Sequence, residues 1–541
     1  MKSGWKKLSV AVLVVAILAG GAFGDRVLAL SDDARRVLRT YTELLQVAHD
    51  SYGDEVSYKQ LVESSISGML RTLDPHTNFL STEAYSSMRE RQKETFYGLG
   101  ILVGMRNGQL TVITPIEGTP ASRMGLLAGD VIAAIEGEST QTMSLGVAVR
   151  LLKGPKGTKV TIQIVRAGLD QPLEVTITRD EIPQNTVRYA YMIAPETAYI
   201  AIFDFNRGTG REVAEALERL REAGMQRLIL DLRGNGGGLL DQAISVSDQF
   251  LDEGAEIVST RGRTRNSHQK FFATGQSPAL DIPLVVLVGR GTASAAEIVS
   301  GAIQDHDMGL VVGTPTWGKG LVQTVYSLPY NAGLALTTAK YYTPSGRLIQ
   351  RDYTSYFDYQ IVDEDNGGLT PTEVAQNENR QAFSTDLGRE VYGGGGITPD
   401  VIVEPLSLSP EIQYLLSQNS FFDFAVQYML THTVEDRDWV PQPELLSEFS
   451  TWLLDQKLIT EQEVGDMLGD LEAREMMKRY LHAEIFNSAF GIEARFEALA
   501  PGDPQIVRAL ELLGEASDLL ARRRNLEKLG EPEVASAAAV G

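Results

Sequence analysis

The rhythm of apolar and polar positions changes several times along the chain. From 31 to 95 apolar residues recur at roughly helical spacing, over 35–47 and 58–73, which predicts helices. From 96 to 182 the pattern shortens to β-type runs at 101–105, 110–113, 131–135, 160–165 and 173–177. Asn107-Gly108, Glu117-Gly118, Gly154, Gly157 and Gly168 separate these runs as turn residues. From 184 to 405 apolar strand candidates at 198–203, 227–232, 284–288 and 310–312 alternate with helical stretches at 212–223, 243–251 and 295–303. That order predicts a layered α/β core. From 406 to 530 the composition is helical throughout, at 410–418, 421–430, 443–456, 461–487 and 505–526. The fold expected is multidomain, α/β and α+β: N-terminal helices (31–95), a β-rich module (96–182), an α/β core (184–405) and a C-terminal helical domain (406–530). Between 351 and 394 an acidic, Asn-rich stretch and the run Gly393–Gly396 predict an elaborated hairpin, flap or contact surface.

Composition narrows the chemistry. At 541 residues the chain is too long for one hydrophobic core. Its net charge of −22, from 71 acids and 49 bases, disfavours nucleic acid and anionic lipid as partners. There is no cysteine, so disulfides, thiolate catalysis and cysteine metal sites are excluded. Lys2, Lys6 and Lys7 precede the apolar run 8–23, and Ala22-Phe23-Gly24 offers small residues for cleavage before Asp25. Residues 1–24 therefore read as a secretory signal or an N-terminal anchor, and the expected location is exported, periplasmic or extracytoplasmic.

Two residues sit in settings suited to acyl transfer. Ser294 follows the apolar run 282–288 and precedes a helical stretch, which puts it at a strand-to-helix turn. Unpaired N–H groups at a helix start suit a developing oxyanion. Lys319 lies 25 positions further on, in an apolar, glycine-rich setting. A serine needs a base, and a lysine serves if burial lowers its pKa from about 10.4 toward 7–8. Thr292 and Ser300 are rivals for the nucleophile, since a serine near a helix start often only caps it. Of the six histidines, His306 is expected near the far end of the helix that follows Ser294, and His76 lies in the N-terminal helical segment. Neither has the context of a Ser-His-Asp triad. No His-Glu-x-x-His is present, so neither a metal nor any other cofactor is expected.

The motifs around these residues resemble those of carboxy-terminal processing proteases, the tail-specific Ser-Lys proteases. Thr-Ala-Ser-Ala-Ala-Glu-Ile (292–298), Gly-Lys-Gly-Leu-Val-Gln (318–323), Asp-Leu-Arg-Gly-Asn-Gly-Gly-Gly-Leu-Leu (231–240) and Gly-Gly-Ile-Thr-Pro-Asp (395–400) match in the expected order. Leu-Asp-Pro-His-Thr (73–77) and Tyr-Gly-Leu-Gly-Ile (97–101) agree with them. The resemblance implies a crotonase-like core with Ser294 as nucleophile, Lys319 as general base and Gln323 holding the amine in line. Four residues along a strand would put Gln323 on the lysine's face. It implies an oxyanion hole from Ala295 N–H and a glycine of the 234–238 run. Gly237 is the best positional match, with Gly236 and Gly238 still open.

Residues 96–182 resemble a PDZ module, and Tyr97, Gly98, Leu99, Gly100 and Ile101 match its carboxylate-binding loop. Arg150 and Lys153 are candidates for the neighbourhood of the bound terminus. The expected protein is an exported endopeptidase that takes protein C-termini as substrates. The alternative is a catalytically silent PDZ-bearing scaffold. The C-terminal helices carry no catalytic motif and are expected to mediate homo-oligomerisation or docking of an adaptor.

Overall fold

The computed structural model describes residues 32–275, 281–351 and 380–530. The expected signal segment, the acidic stretch up to 379 and the C-terminal tail lie outside the described residues. The chain divides into two compact units, one of Met1–Thr82 with Val325–Leu336, the other of Glu83–Thr324 with Thr337–Gly541.

In the first unit, helices Asp32–Ser51 and Tyr58–Arg71 carry the predicted periodicity. Ser57 caps the second by accepting the Gln60 N–H. The Leu-Asp-Pro-His-Thr motif is a turn built on Asp74, whose Oδ1 accepts the N–H groups of His76 and Thr77 at 2.8 Å each. The turn feeds strand Asn78–Leu80, which pairs antiparallel with Gly333, Leu334 and Ala335.

The second unit, from Glu83, holds all but the first residue of helix Thr82–Arg91, followed by a β-module. Strands Thr95–Gly98 and Asp180–Pro183 pair where the chain enters and leaves it. Between them an antiparallel sheet runs in the order Ile101–Arg106, Gln109–Pro115, Val131–Ile135, Lys159–Val165, Leu173–Thr178. Helix Leu145–Leu152 is capped by Ser144, and its Ala148 and Leu152 join the module's core.

The following core holds a six-stranded sheet. Val187–Ala194 is antiparallel to Thr197–Ile202. Arg227–Asp231, Leu284–Val288, Leu310–Gly313 and Val401–Ile402 then continue parallel. A parallel strand covered on both faces is apolar throughout, which is why 284–288 reads as an unbroken run. Leu284, Val286 and Val288 face one hydrophobic layer, with Val213, Leu217 and Val299. Val285 and Leu287 face the other, with Ile506, Leu512 and Leu519.

Those last three residues belong to helix Pro504–Gly530, so the last helix of the segment expected as a separate domain from 406 packs on this sheet. This helix covers the second face of the six-stranded sheet and is part of the core. The remaining C-terminal helices form a cluster around Phe421, Phe424, Phe449 and Leu481. They lean on the β-module: Asn107 donates to Asp423 at 2.9 Å, Arg106 lies over Phe422 at 5.0 Å, and Asn487 donates to Ile113 O. The apolar faces attributed to partner chains are thus largely covered within the chain. The single helix expected over 461–487 is two, Glu461–Gly469 and Leu471–Phe490. Asp470 breaks it with an extended ψ of 123° and caps the second helix through Glu472 N–H. Helix Ile492–Leu499 was not anticipated. In the 351–394 region the described part holds a hairpin of Ala382–Ser384 and Glu390–Tyr392.

Candidate active site

Strand Leu284–Val288 ends in the loop Gly289–Ala293, and helix Ala295–Asp305 begins immediately after Ser294. Ser294 sits at the corner with φ 57° and ψ −114°. A residue with a side chain pays about 1–3 kcal/mol for such a conformation, so its surroundings must hold it there. They do so through Glu297, which is fully buried. Its Oε2 accepts the Ser294 N–H at 2.7 Å and the Lys319 N–H at 2.9 Å. Its Oε1 accepts the Gly318 N–H at 2.7 Å and the Thr316 hydroxyl at 2.5 Å. One carboxylate therefore fastens the serine's turn to the lysine's turn. Burial pushes the Glu297 carboxyl above its ordinary range, and these four hydrogen bonds oppose that shift.

Lys319 Nζ donates to Gln323 Oε1 at 3.2 Å. Strand Leu321–Ser327 begins after the lysine, so a turn running into the strand makes this contact, not strand alternation alone as expected. Ser294, Ala295, Lys319, Gln323 and Gly236–Gly238 line one cleft of about 530 Å³, whose apolar walls include Met88, Leu239, Ile298 and Val322. A larger cavity, about 670 Å³, lies elsewhere, between Arg233, Arg290 and Phe496 at the carboxyl ends of the parallel strands.

The glycine run is folded tightly against the serine. A Cβ on Gly237 would stand 2.7 Å from Ser294 Cβ, and its φ of +98° already demands glycine. The Gly237 N–H, the favoured second oxyanion donor, is given to Asn235 Oδ1 at 2.8 Å. Among the described residues no acceptor meets the N–H groups of Gly236, Gly238 or Ala295. The rivals of Ser294 are occupied. The Thr292 hydroxyl donates to Leu232 O and that of Ser300 to Ala296 O, both buried. His306 caps the far end of the helix, with Nδ1 on Asp386 and Nε2 on Glu256 O, each at 2.8 Å.

Sequence reasoning gave no role to Glu297, Asn235 or Tyr341. Ser-Ala-Ala-Glu fits the capping-box pattern, a signal that was available for Glu297. Tyr341 comes from a distant strand and carried none.

At the β-module, Leu99 is buried, and Gly100 turns with φ +79° against Thr119, whose hydroxyl donates to Gly100 O. Tyr97 is exposed. Tyr97 and Gly98 lie in the strand that closes the module, and Ile101 starts the edge strand Ile101–Arg106. Lys153 pairs with Glu90 at 2.9 Å and lies over the Phe96 ring. Arg150 is exposed.

Comparison with known proteins agrees with this layout. The model of peptidase family S41 matches residues 196–356, and a PDZ domain model matches 111–166. A carboxy-terminal-processing protease of Bartonella bacilliformis is 43% identical over 54% of this chain and 68% of its own length. A probable CtpA-like serine protease of Staphylococcus saprophyticus is 30% identical over 77% of this chain and 82% of its own length. The solved photosystem II D1 C-terminal processing protease is 27% identical, covers 67% of this chain and 92% of its own, and has a TM-score of 0.35. An α/β core behind a PDZ domain, with a serine in its cleft, is the layout of a serine-type peptidase. The chain belongs to the carboxy-terminal processing protease family.

Proposed function

We propose that the chain is an exported endopeptidase that binds protein C-termini at its PDZ domain and cuts near them with Ser294, Lys319 and Gln323. The observation that carries the reading is the shared cleft. A serine on a strained turn and a lysine held by Gln323 line the same walls. Neutral Lys319 takes the Ser294 hydroxyl proton as Oγ bonds to the scissile carbonyl carbon. The proton then passes to the departing amine as the C–N bond breaks, leaving an acyl-enzyme. Neutral Lys319 then takes a proton from water as its oxygen bonds to the acyl carbon, and returns it to Ser294 Oγ as the ester C–O bond breaks and the acid leaves. Ala295 N–H and an N–H from Gly236 or Gly238 receive the oxyanion; Gly237 serves only if it leaves Asn235.

Ser294→Ala and Lys319→Ala are each expected to lower kcat by up to about 10⁶-fold in folded protein. Lys319→Arg should be nearly as damaging, because a guanidinium keeps its proton. Turnover within tenfold of wild type by either folded alanine variant would sink the dyad assignment, whereas a wild-type chain that neither cleaves peptide nor labels with a serine-reactive acylating probe would leave the silent scaffold as the better reading. Activity should fall on the acid side as the lysine protonates, and EDTA should not change it.

For the PDZ domain, the Leu99–Ile101 loop beside an edge strand suits a terminal carboxylate on an added strand. An amidated peptide should bind more weakly than its free acid; equal affinities would remove this part. Export rests on residues 1–24, and N-terminal sequencing of the mature protein tests it. For self-association or adaptor docking through 406–530, the most exposed apolar side chains among the described residues are Leu430, Val440 and Leu471, with Leu406, Tyr414 and Val507 less so. Light scattering showing a monomer at micromolar concentration would remove self-association.

A further inference from the structure

Tyr341 stands on the wall of the cleft, its side chain only 2% exposed, with its hydroxyl reaching two main-chain carbonyls. The phenol oxygen is 2.5 Å from Lys319 O and 3.0 Å from Ser294 O. A phenol has one proton to give, and Ser294 O already accepts the N–H groups of Glu297 and Ile298. The proton therefore goes chiefly to the lysine's carbonyl, while the oxygen stays packed against the serine's. The mount is rigid. Tyr341 lies in strand Gly333–Tyr342, opposite Thr260 of strand Glu256–Gly262. Its own N–H donates to Gly320 O at 3.0 Å, next to the lysine. The N–H groups of Ser294 and Lys319 are gathered by Glu297, and their C=O groups meet at Tyr341.

We propose that Tyr341 is a positioning residue of the proteolytic reaction, its hydroxyl fixing the Lys319 turn relative to Ser294 so that the amine meets the serine hydroxyl in line. The inference rests on the Ser294–Lys319 reading above. Bonds at the neighbours, Arg351 N–H to Gly318 O and Gly320 N–H to Gln350 Oε1, hold the turn on either side, and the Tyr341 hydroxyl acts on the carbonyl of Lys319 itself, whose peptide plane can tilt when that bond is removed. A displacement of about 1 Å at a base costs up to about 10²-fold in rate without touching substrate affinity.

The test is Tyr341→Phe in the full chain, which keeps the buried ring and removes only the hydroxyl. Peptide hydrolysis and labelling by a fluorophosphonate probe are measured beside wild type and Ser294→Ala. The expected result is a kcat lower by about tenfold or more with KM within about twofold, probe labelling slowed in the same proportion, and the acid limb of the pH profile displaced. Unfolding temperature and PDZ peptide binding report whether the variant is folded. If it melts early, the same rates taken well below its midpoint decide. A folded Tyr341→Phe enzyme with wild-type kcat and pH profile overturns the proposal. An active Ser294→Ala enzyme instead overturns the dyad on which it rests.

Discussion

Helix Ala295–Asp305 is anchored in opposite ways at its two ends. At the Ser294 end one buried carboxylate, Glu297, gathers three backbone N–H groups and a threonine hydroxyl. At the other end charge meets charge. Asp305 pairs with the fully buried Arg347, Asp307 with Arg389, and His306 with Asp386, which Arg523 also binds. The first end suits the helix dipole, with a carboxylate in the first turn; at the last end the Asp305 and Asp307 carboxylates run against it and are offset by Arg347 and Arg389. The difference lies in what each arrangement fixes. Hydrogen bonds from neutral backbone groups fix dihedral angles, which Ser294 on its strained turn requires. Ion pairs fix which elements pack together: those of Asp307 and His306 tie this helix to the 380–400 region, while hydrogen bonds from His306 to Glu256 O and from Arg523 to His306 O reach strand Glu256–Gly262 and helix Pro504–Gly530.

The comparison breaks most completely if helix Pro504–Gly530 is removed. Deleting residues 504–541 takes Arg523 from the His306 end and uncovers Ile229, Val285, Leu287, Leu310 and Val312. Exposing each such side chain costs roughly 1.5–3 kcal/mol, together comparable with the 5–15 kcal/mol that holds a typical domain folded. The deleted protein should fail to give a soluble, cooperatively melting core by circular dichroism and gel filtration. A soluble, active truncation would keep the boundary at 405.

A smaller break is Arg347→Met. Arg347 is 0% exposed and donates to Asp305 and, at 2.7 Å, to Gln304 Oε1. Removing it strands a buried carboxylate, expected to cost about 3–5 kcal/mol in urea denaturation. Replacing Asp305 by Leu in the same molecule should recover part of that loss. No recovery would mean that the Ser345 contacts to Asp305 matter more than the ion pair.

Much of this was legible beforehand, and the exceptions share a cause. Strand Leu284–Val288 was read to the residue, because a doubly covered strand has no polar position. The Ser294 corner followed from an apolar run abutting a helical one. Glu297 appeared only as a letter in a motif, because its partners Thr316, Gly318 and Lys319 lie about twenty residues on and a single chain does not display such closure. Gly237 was chosen by position, yet Asn235, two residues back, takes its N–H. Helix Pro504–Gly530 was recognised as a helix, but its own spacing says nothing about which sheet it covers.

The smallest effect, and the one that separates the two ends by chemistry, is a pH dependence of stability. Burial opposes a charge on His306, but its hydrogen bonds to Asp386 and Glu256 O prevail and raise its pKa above the ordinary 6.5. Asp386 is held below its ordinary 3.8, first by His306 and then by Arg523, against partial burial. The groups facing the ring are therefore Asp386 and Arg523, with Asp252 behind the arginine. A raised histidine contributes stability that is complete below pH 6.5 and fades as pH climbs through its folded value. A depressed carboxyl contributes above pH 3.8 and fades as pH drops through its folded value. The pair is strongest in the window between. His306→Asn should therefore lower Tm by a few degrees near pH 6 and by less near pH 9. It leaves the Glu297 hydrogen bonds untouched, so the residual activity of the folded variant should keep the wild-type pH profile. A Tm loss equal at both pH values would show that His306 is held there by shape and not by charge.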